Sequence, residues 1–223
     1  MKTPDDYNVN NVYQYQTSED VKNYYNDWAK DYDNYTKDVK YTLPHSVAKI
    51  FVELLSQFNT SQINNLKILD IGCGTGLLGS EIIEFKKNLH IDGVDISSSM
   101  LRITSIKTKD FIPIYKVMIL DDLTNPKFIN ENYYDCFVSA GTFTLGHLYA
   151  RDMVNLLKYL KPNGLATFSI KEDHFIQDKF EKIFSNLKKN NIVYNLNFFK
   201  VNSYDSDFKA KSIIVTFNKG DVI

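Results

Sequence analysis

Cysteine, tryptophan and proline are all scarce in this chain of 223 residues, which contains two, one and five of them. Two cysteines, Cys73 and Cys136, cannot build a disulfide framework, and their spacing matches no zinc-ligand pattern. A reducing, cytoplasmic setting without a bound metal is therefore expected. No apolar run approaches the roughly 20 residues that cross a bilayer, so no membrane partner is expected. The opening MKTPDDYNVNN has neither the layout of a secretion signal nor the composition of a transit peptide. Charge of either sign is not in excess: 26 Lys and Arg stand against 27 Asp and Glu. With no basic run, nucleic acid is not an expected partner. The pairs Lys86-Lys87 and Lys188-Lys189 read as solvated helix ends.

What is present is a hydrophobic fraction of 43% beside 24% charged residues, enough for one globular domain with an appendage. Eight of the 15 tyrosines and the single tryptophan lie between Tyr7 and Tyr41. Tyr24, Tyr25, Trp28 and Tyr32 fall at helical spacing and predict a short helix lying on a body. Residues 1–43 are accordingly expected to form an aromatic cap. Pro44 then opens an amphipathic helix, with Val47, Ile50, Phe51, Leu54, Leu55 and Phe58 on one face. From Leu66 onward, apolar runs at Lys67–Ile71, His90–Asp95, Ile114–Ile119, Tyr134–Ala140 and Leu165–Ile170 alternate with helical patterns. Such alternation predicts a parallel sheet covered on both faces. After a helix carrying Phe180, Ile183, Phe184 and Leu187, two strands follow in succession, Ile192–Val201 and Ala210–Phe217. They are expected to close the sheet as an antiparallel pair.

The stretch LKILDIGCGTGLLGSEI places Gly72, Gly74 and Gly76 between a strand and a helix, the context of a nucleotide-binding turn. Glycine allows positive φ and close approach of a ligand to the backbone, and the following helix start offers N–H groups. The spacing G-x-G-x-G is one residue short of the dinucleotide fingerprint, and no Lys-Ser/Thr follows as in a P-loop. Asp70 just ahead would repel a pyrophosphate but suits a cation. S-adenosylmethionine, with a sulfonium, an ammonium and no phosphate, meets that requirement. Asp95, at the end of the second strand, is placed to accept from ribose hydroxyls. Ser97 is expected to cap the next helix, with Ile96 and Met100 against the adenine. Either Asp121 or Asp122, after the third strand, could receive the adenine amine. Cys73 reads as a small filler, with no basic neighbour to make it a thiolate.

These segments resemble the class I S-adenosylmethionine-dependent methyltransferases. LDIGCGTG matches the glycine motif, GVDIS the ribose-binding acid, YYDCFVSA the fourth strand, and LKPNGLATFSIKE the turn and fifth strand. Asn163 replaces a usual glycine there and tolerates the same left-handed turn. The likeness runs from about Tyr24 to Asn218. YYNDWAKDYDNYTKDVKYTLP, LDDLTNP and SAGTFTLGHL are further similar to the Williams–Beuren syndrome region methyltransferase-like proteins. The resemblance implies a Rossmann-like sheet of seven strands, mostly parallel with an antiparallel last strand, in a methyltransferase domain over residues 44–223. It implies S-adenosylmethionine as cofactor and S-adenosylhomocysteine as product. It favours Asp122 over Asp121, and adds Leu123 and Ala140 to the cofactor contacts.

Methyl transfer from a sulfonium is an in-line displacement that needs positioning and exclusion of water. Thr142, Thr144, His147, Lys171, Glu172 and His174 are expected at the carboxyl edge after strands four and five. His147 is the candidate general base because histidine titrates near neutrality. His174 is expected to face solvent, and His45 and His90 to be structural or on the surface. Trp28 and Tyr32 are expected either to anchor the first helix or, with Tyr24 and Tyr25, to form a lid touching the cofactor. The absence of N/D-P-P-Y/F and of a Pro-Cys pair argues against methylation of nucleic-acid bases. A small-molecule acceptor is expected, with a protein acceptor open. Competing readings are a cofactor-binding protein without turnover and an NAD-dependent oxidoreductase. Acceptor atom and oligomeric state are not encoded legibly.

Overall fold

The computed structural model describes residues 7–12, 15, 17–56, 63, 65–206 and 210–221. The 1–6 start and Phe58 lie outside the described residues. A short helix, α1 (Val9–Val12), precedes α2 (Ser18–Asp38) and α3 (Leu43–Leu55). The alternating part then runs β1 (Lys67–Ile71), α4 (Leu77–Phe85), β2 (His90–Asp95), α5 (Ser98–Ser105), a small hairpin of β3 (Thr108–Lys109) and β4 (Ile112–Pro113), and β5 (Met118–Leu120). It continues with β6 (Tyr134–Phe143), α6 (Ala150–Leu156), β7 (Leu160–Lys171), α7 (Glu172–Gln177), α8 (Phe180–Lys189), β8 (Val193–Asn202) and β9 (Lys211–Lys219).

Seven strands form one sheet in the order β5-β2-β1-β6-β7-β9-β8. The first five run parallel; β9 lies antiparallel between β7 and β8. The expected Rossmann-like sheet is therefore the observed one. Strand order reverses between β1 and β6, and an open sheet binds ligands outside the carboxyl ends at such a reversal.

Period-two alternation sorts the core. Leu69, Ile71, Val94, Phe137, Phe168 and Val215 point to one face, under Phe180, Phe184 and Leu187 of α8. Ile68, Ile91, Val138, Leu165 and Ile214 point to the other, under Val47, Phe51 and Leu55 of α3 and Leu78 and Ile82 of α4. A third cluster, Tyr7, Val12, Val21, Tyr24 and Trp28, belongs to the N-terminal segment alone.

Three expectations need correction. The third strand covers only Met118–Leu120, because Asp110 and Phe111 take positive φ and turn the chain into the β3–β4 hairpin. Ile114 and Tyr115 are buried nonetheless, but as core residues outside a strand. The first helix is not short: α2 has 21 residues, started by the Thr17 hydroxyl accepting from Asp20 N–H and ended by Lys40 at φ 52°. The fourth strand, expected to end at Ala140, runs on to Phe143. Asn163 does adopt the left-handed turn, at φ 63°.

α2 is strapped to the sheet domain by a polar stripe. Asn26 Oδ1 accepts from the Ser97 hydroxyl (2.8 Å) and Ser99 N–H (3.1 Å). Seven residues on, Asp33 accepts from the Thr75 hydroxyl and from Lys107 Nζ (2.7 Å). Trp28, fully buried beside this stripe, is the only tryptophan, so its fluorescence reports on α2 alone. Asp33→Ala should loosen the helix without unfolding the sheet. Discounted for the partial exposure of Asp33, the loss is about 1 kcal/mol. α2 amides should exchange roughly five-fold faster, with the Trp28 denaturation midpoint falling below the far-UV one; coincident, unshifted curves would show that Asp33 holds nothing.

Candidate cofactor site

The carboxyl ends of β1, β2, β5 and β6 border a crevice of about 240 Å³, roofed by α2 as far as Tyr32. Gly72, Gly74, Asp95, Ile96, Met100, Asp122, Leu123, Ala140, Tyr32 and His147 all line it. Asp70, Cys73, Gly76 and Trp28 do not.

The three glycines have different reasons to be bare. All take positive φ: 65° at Gly72, 54° at Gly74 and 83° at Gly76. A Cβ at Gly72 would fall 2.3 Å from the Thr142 hydroxyl, and one at Gly76 would fall 2.9 Å from the Tyr115 ring. Only at Gly74 would it meet open space. Gly76 thus serves internal packing alone, while Gly72 and Gly74 both border the crevice.

Three of the loop's N–H groups, and one in the helix that follows, are already occupied. Cys73 N–H bonds Val94 carbonyl (3.0 Å), and Gly76 N–H bonds Cys73 carbonyl (2.8 Å). Gly74 N–H bonds Asp95 Oδ2 (2.8 Å), and Gly79 N–H bonds the Tyr115 hydroxyl (3.0 Å). Part of the expected supply of N–H groups is therefore spent within the protein. Asp95 holds Ser97 N–H through Oδ1 (2.8 Å) as well, and burial pushes its carboxyl up from the usual range. Ser97 caps α5 as expected, accepting from Met100 N–H (3.2 Å).

Geometry separates the two acids after β5. Asp121 is committed to the backbone, accepting from the N–H groups of Asp122, Lys127 and Phe128. Asp122 engages Thr124 through one oxygen only, Oδ1. Asp122 is the better placed acceptor for a ligand amine.

Asp70 is a correction. Strand alternation turns it with Ile68 to the α4 face, behind the loop, where the Tyr115 hydroxyl donates to Oδ2 (2.6 Å). Its Oδ1 is buried without a partner among the described residues. Desolvation, against the relief of the Tyr115 bond, pushes its carboxyl up to about 7. Cys73 is also behind the loop, its sulfur against Gly93, and burial raises its thiol, so it fills space as expected. Both cysteines are free.

His147 lines the crevice but does not titrate near neutrality. Burial pulls it down to about 4. Its Nδ1 faces the Leu145 carbonyl (3.1 Å), which can only accept. Nδ1 therefore carries the proton, and Nε2 accepts from the Tyr25 hydroxyl (2.9 Å). His174 is fully buried rather than solvent-facing, bonded through Nε2 to Leu148 carbonyl (2.9 Å). His45 and His90 pair with Glu81 and Asp92 away from the crevice. Glu172 is paired with Lys200. Sequence reasoning missed Asn26, Asp33, Tyr115 and Arg151, the last an exposed cation at the crevice rim. The seven-residue spacing of Asn26 and Asp33, parallel to that of Tyr25 and Tyr32, was the available signal.

Residues 68–164 match the family model described as a methyltransferase domain. Among curated proteins, the chain is 32% identical over 151 residues to the malonyl-[acyl-carrier protein] O-methyltransferase of Priestia megaterium, covering 67% of this chain and 50% of that protein. The chain spans about half the length of such relatives. Among solved structures it superposes on the CurJ carbon methyltransferase (TM-score 0.64, 14% identity, 87% of this chain and 60% of that one). It likewise superposes on the plantazolicin methyltransferase BpumL in complex with a triazolic desmethyl analogue and SAH (TM-score 0.62, 15% identity, 87% and 91%). The fold is the Rossmann-like fold of class I methyltransferases. The site fits S-adenosylmethionine: one open glycine and acids at two strand ends.

The pH dependence of stability tests the Asp70 placement. A raised carboxyl contributes stability fully present below its unfolded value near 3.8 and lost as pH rises through about 7. Asp70→Asn removes this dependence. Its stability relative to the parent should rise between pH 5 and pH 8 by on the order of 2–3 kcal/mol in urea titrations. A constant difference would mean that Asp70 ionises normally.

Proposed function

We propose that the chain is an S-adenosylmethionine-dependent methyltransferase acting on a small acceptor. The observation that carries this is the convergence of Asp95 and Asp122 on the crevice beside the bare Gly74, an acidic setting that suits an adenosyl cation and disfavours a pyrophosphate. S-adenosylmethionine, when bound, supplies an activated methyl group on a positive sulfur. Asp95 would take the ribose hydroxyls, Asp122 the adenine amine, and Ile96, Met100 and Leu123 would pack the ring. Tyr25 and Tyr32, brought in by α2, would close the crevice against water, which is the lid reading of the aromatic cap; Trp28 anchors that helix from behind. The narrower likeness to the Williams–Beuren group rests on its three sequence stretches.

A histidine near 4 is neutral at physiological pH but a weak base, so His147 is better suited to holding the Tyr25 hydroxyl than to deprotonating an acceptor. Residues 44–223 would carry cofactor and acceptor chemistry, and residues 1–43 the cover.

Calorimetric titration with S-adenosylhomocysteine and with NADH decides between the competing cofactors. Binding of the former alone is expected; binding of NADH alone would overturn the proposal. Asp95→Ala should weaken S-adenosylhomocysteine by about 2–3 kcal/mol, roughly 30- to 150-fold. His147→Gln, which keeps an acceptor for Tyr25, should retain most turnover and leave no ionisation near pH 6.5 in the rate profile. A loss of turnover by more than a hundred-fold would restore His147 as the base.

A further inference from the structure

The small hairpin between α5 and β5 ends in a turn that one of its residues does not suit. β3 and β4 pair only with each other, Lys109 opposite Ile112, so Asp110 and Phe111 form the two-residue loop. Both take positive φ, 50° and 65°. Such a loop favours Asn or Asp first and Gly second, because glycine enters the left-handed region without strain. Asp110 conforms and Phe111 does not. Packing does not offset the strain either, since Phe111 is 99% exposed. A large apolar side chain that neither suits its backbone nor reaches the core points to a role outside the chain.

Around the tip, apolar groups are exposed and charge is mostly of one sign. Ile112, next to it, and Ile106, at the foot of the hairpin, are both exposed. From 102 to 116 the chain carries four cations, Arg102, Lys107, Lys109 and Lys116, against the single acid Asp110, although its net charge is −1. Asp110 is held by Lys87 (2.6 Å), Lys109 by Glu84, and Lys107 by Asp33 (2.7 Å), which braces the hairpin against α4 and α2. Arg102, in the last turn of α5, and Lys116, just after β4, are exposed and make no ion pair among the described residues. The hairpin leads directly into β5, so it lies toward the amino ends of the strands, away from the crevice at their carboxyl ends.

We infer that this hairpin seats the protein on an anionic lipid surface, with Phe111 and Ile112 at the boundary of headgroups and acyl chains and Arg102 and Lys116 among the headgroups. The inference is independent of the methyl-transfer reading. Size and shape favour lipid over protein. A stable protein contact takes about 20–30 residues a side, and three apolar side chains on a convex tip fall far short of that. A bilayer accepts such a tip, and flanking cations add attraction to anionic lipid. No helix among the described residues is long and apolar enough to cross a membrane, so the contact is peripheral. The three ion pairs hold the hairpin in shape beforehand, which limits the ordering that binding requires. Seated this way, the chain turns its crevice away from the lipid and leaves it open to solvent.

The probe is vesicles of phosphatidylcholine with about 30% phosphatidylglycerol, sedimented with the full chain beside vesicles of phosphatidylcholine alone. The chain should bind the mixed vesicles, and the neutral ones roughly ten-fold more weakly. Phe111→Gly should weaken binding to the mixed vesicles roughly five-fold. Its thermal midpoint should stay at or above the parent's, because glycine suits the turn. Phe111→Trp should restore binding, and its added fluorescence should be quenched by lipids brominated high on the acyl chains, with the buried Trp28 as baseline. Arg102→Gln combined with Lys116→Gln should weaken binding about ten-fold and flatten its salt dependence. No binding to the mixed vesicles, equal binding to the neutral ones, or binding indifferent to Phe111→Gly would each overturn the inference. Self-association of the parent in sedimentation equilibrium that Phe111→Gly abolishes would also overturn it, assigning the tip to a contact between copies.

Discussion

Two hydrogen bonds accepted by one carboxylate organise the site. Asp95 takes Gly74 N–H on Oδ2 and Ser97 N–H on Oδ1, both at 2.8 Å. The loop after β1 and the helix start after β2 are thereby fixed to one group. Ser97 then passes the constraint outward: its hydroxyl caps α5 and also donates to Asn26 of α2. A carboxylate buried by these contacts is costly unless its oxygens are satisfied, and here backbone N–H groups do so. The position of the cap relative to the sheet therefore traces back to one acid at a strand end.

The centre of the sheet was legible because β1, β2, β6 and β7 are buried on both faces over most of their length and so read as apolar runs. Lys67–Ile71 and His90–Asp95 coincide with their observed bounds. The third strand was misread since Ile114 and Tyr115 are apolar for packing reasons, not pairing ones. Tyr115 fills the space left by Gly76, Gly79 and Gly93 and holds Asp70. That long-range role has no local signature.

The glycine loop was legible as a binding turn, but its individual residues were not. Which glycine is bare for a ligand and which for Thr142 or Tyr115 depends on elements some 30 to 70 positions away in the chain. Asp70 shows the same limit. Its residue type suggested a contact with a cationic ligand, and strand alternation, once the register was known, turned it to the opposite side. Asp121 and Asp122 were equivalent on chemistry and were separated only by the backbone donors that surround the first. For His147 the sequence could place the ring at the edge but not foresee the carbonyl of Leu145 and the hydroxyl of Tyr25 that set its protons.

Tyr25 and His147 meet across 122 positions of sequence, with one partner on the roof and the other on the floor of the crevice. Together with the Asn26 and Asp33 attachments, this makes the roof a separate closure rather than part of the wall. α2 covers one side of the crevice, so attachments that a bound molecule never touches contribute to how long it stays.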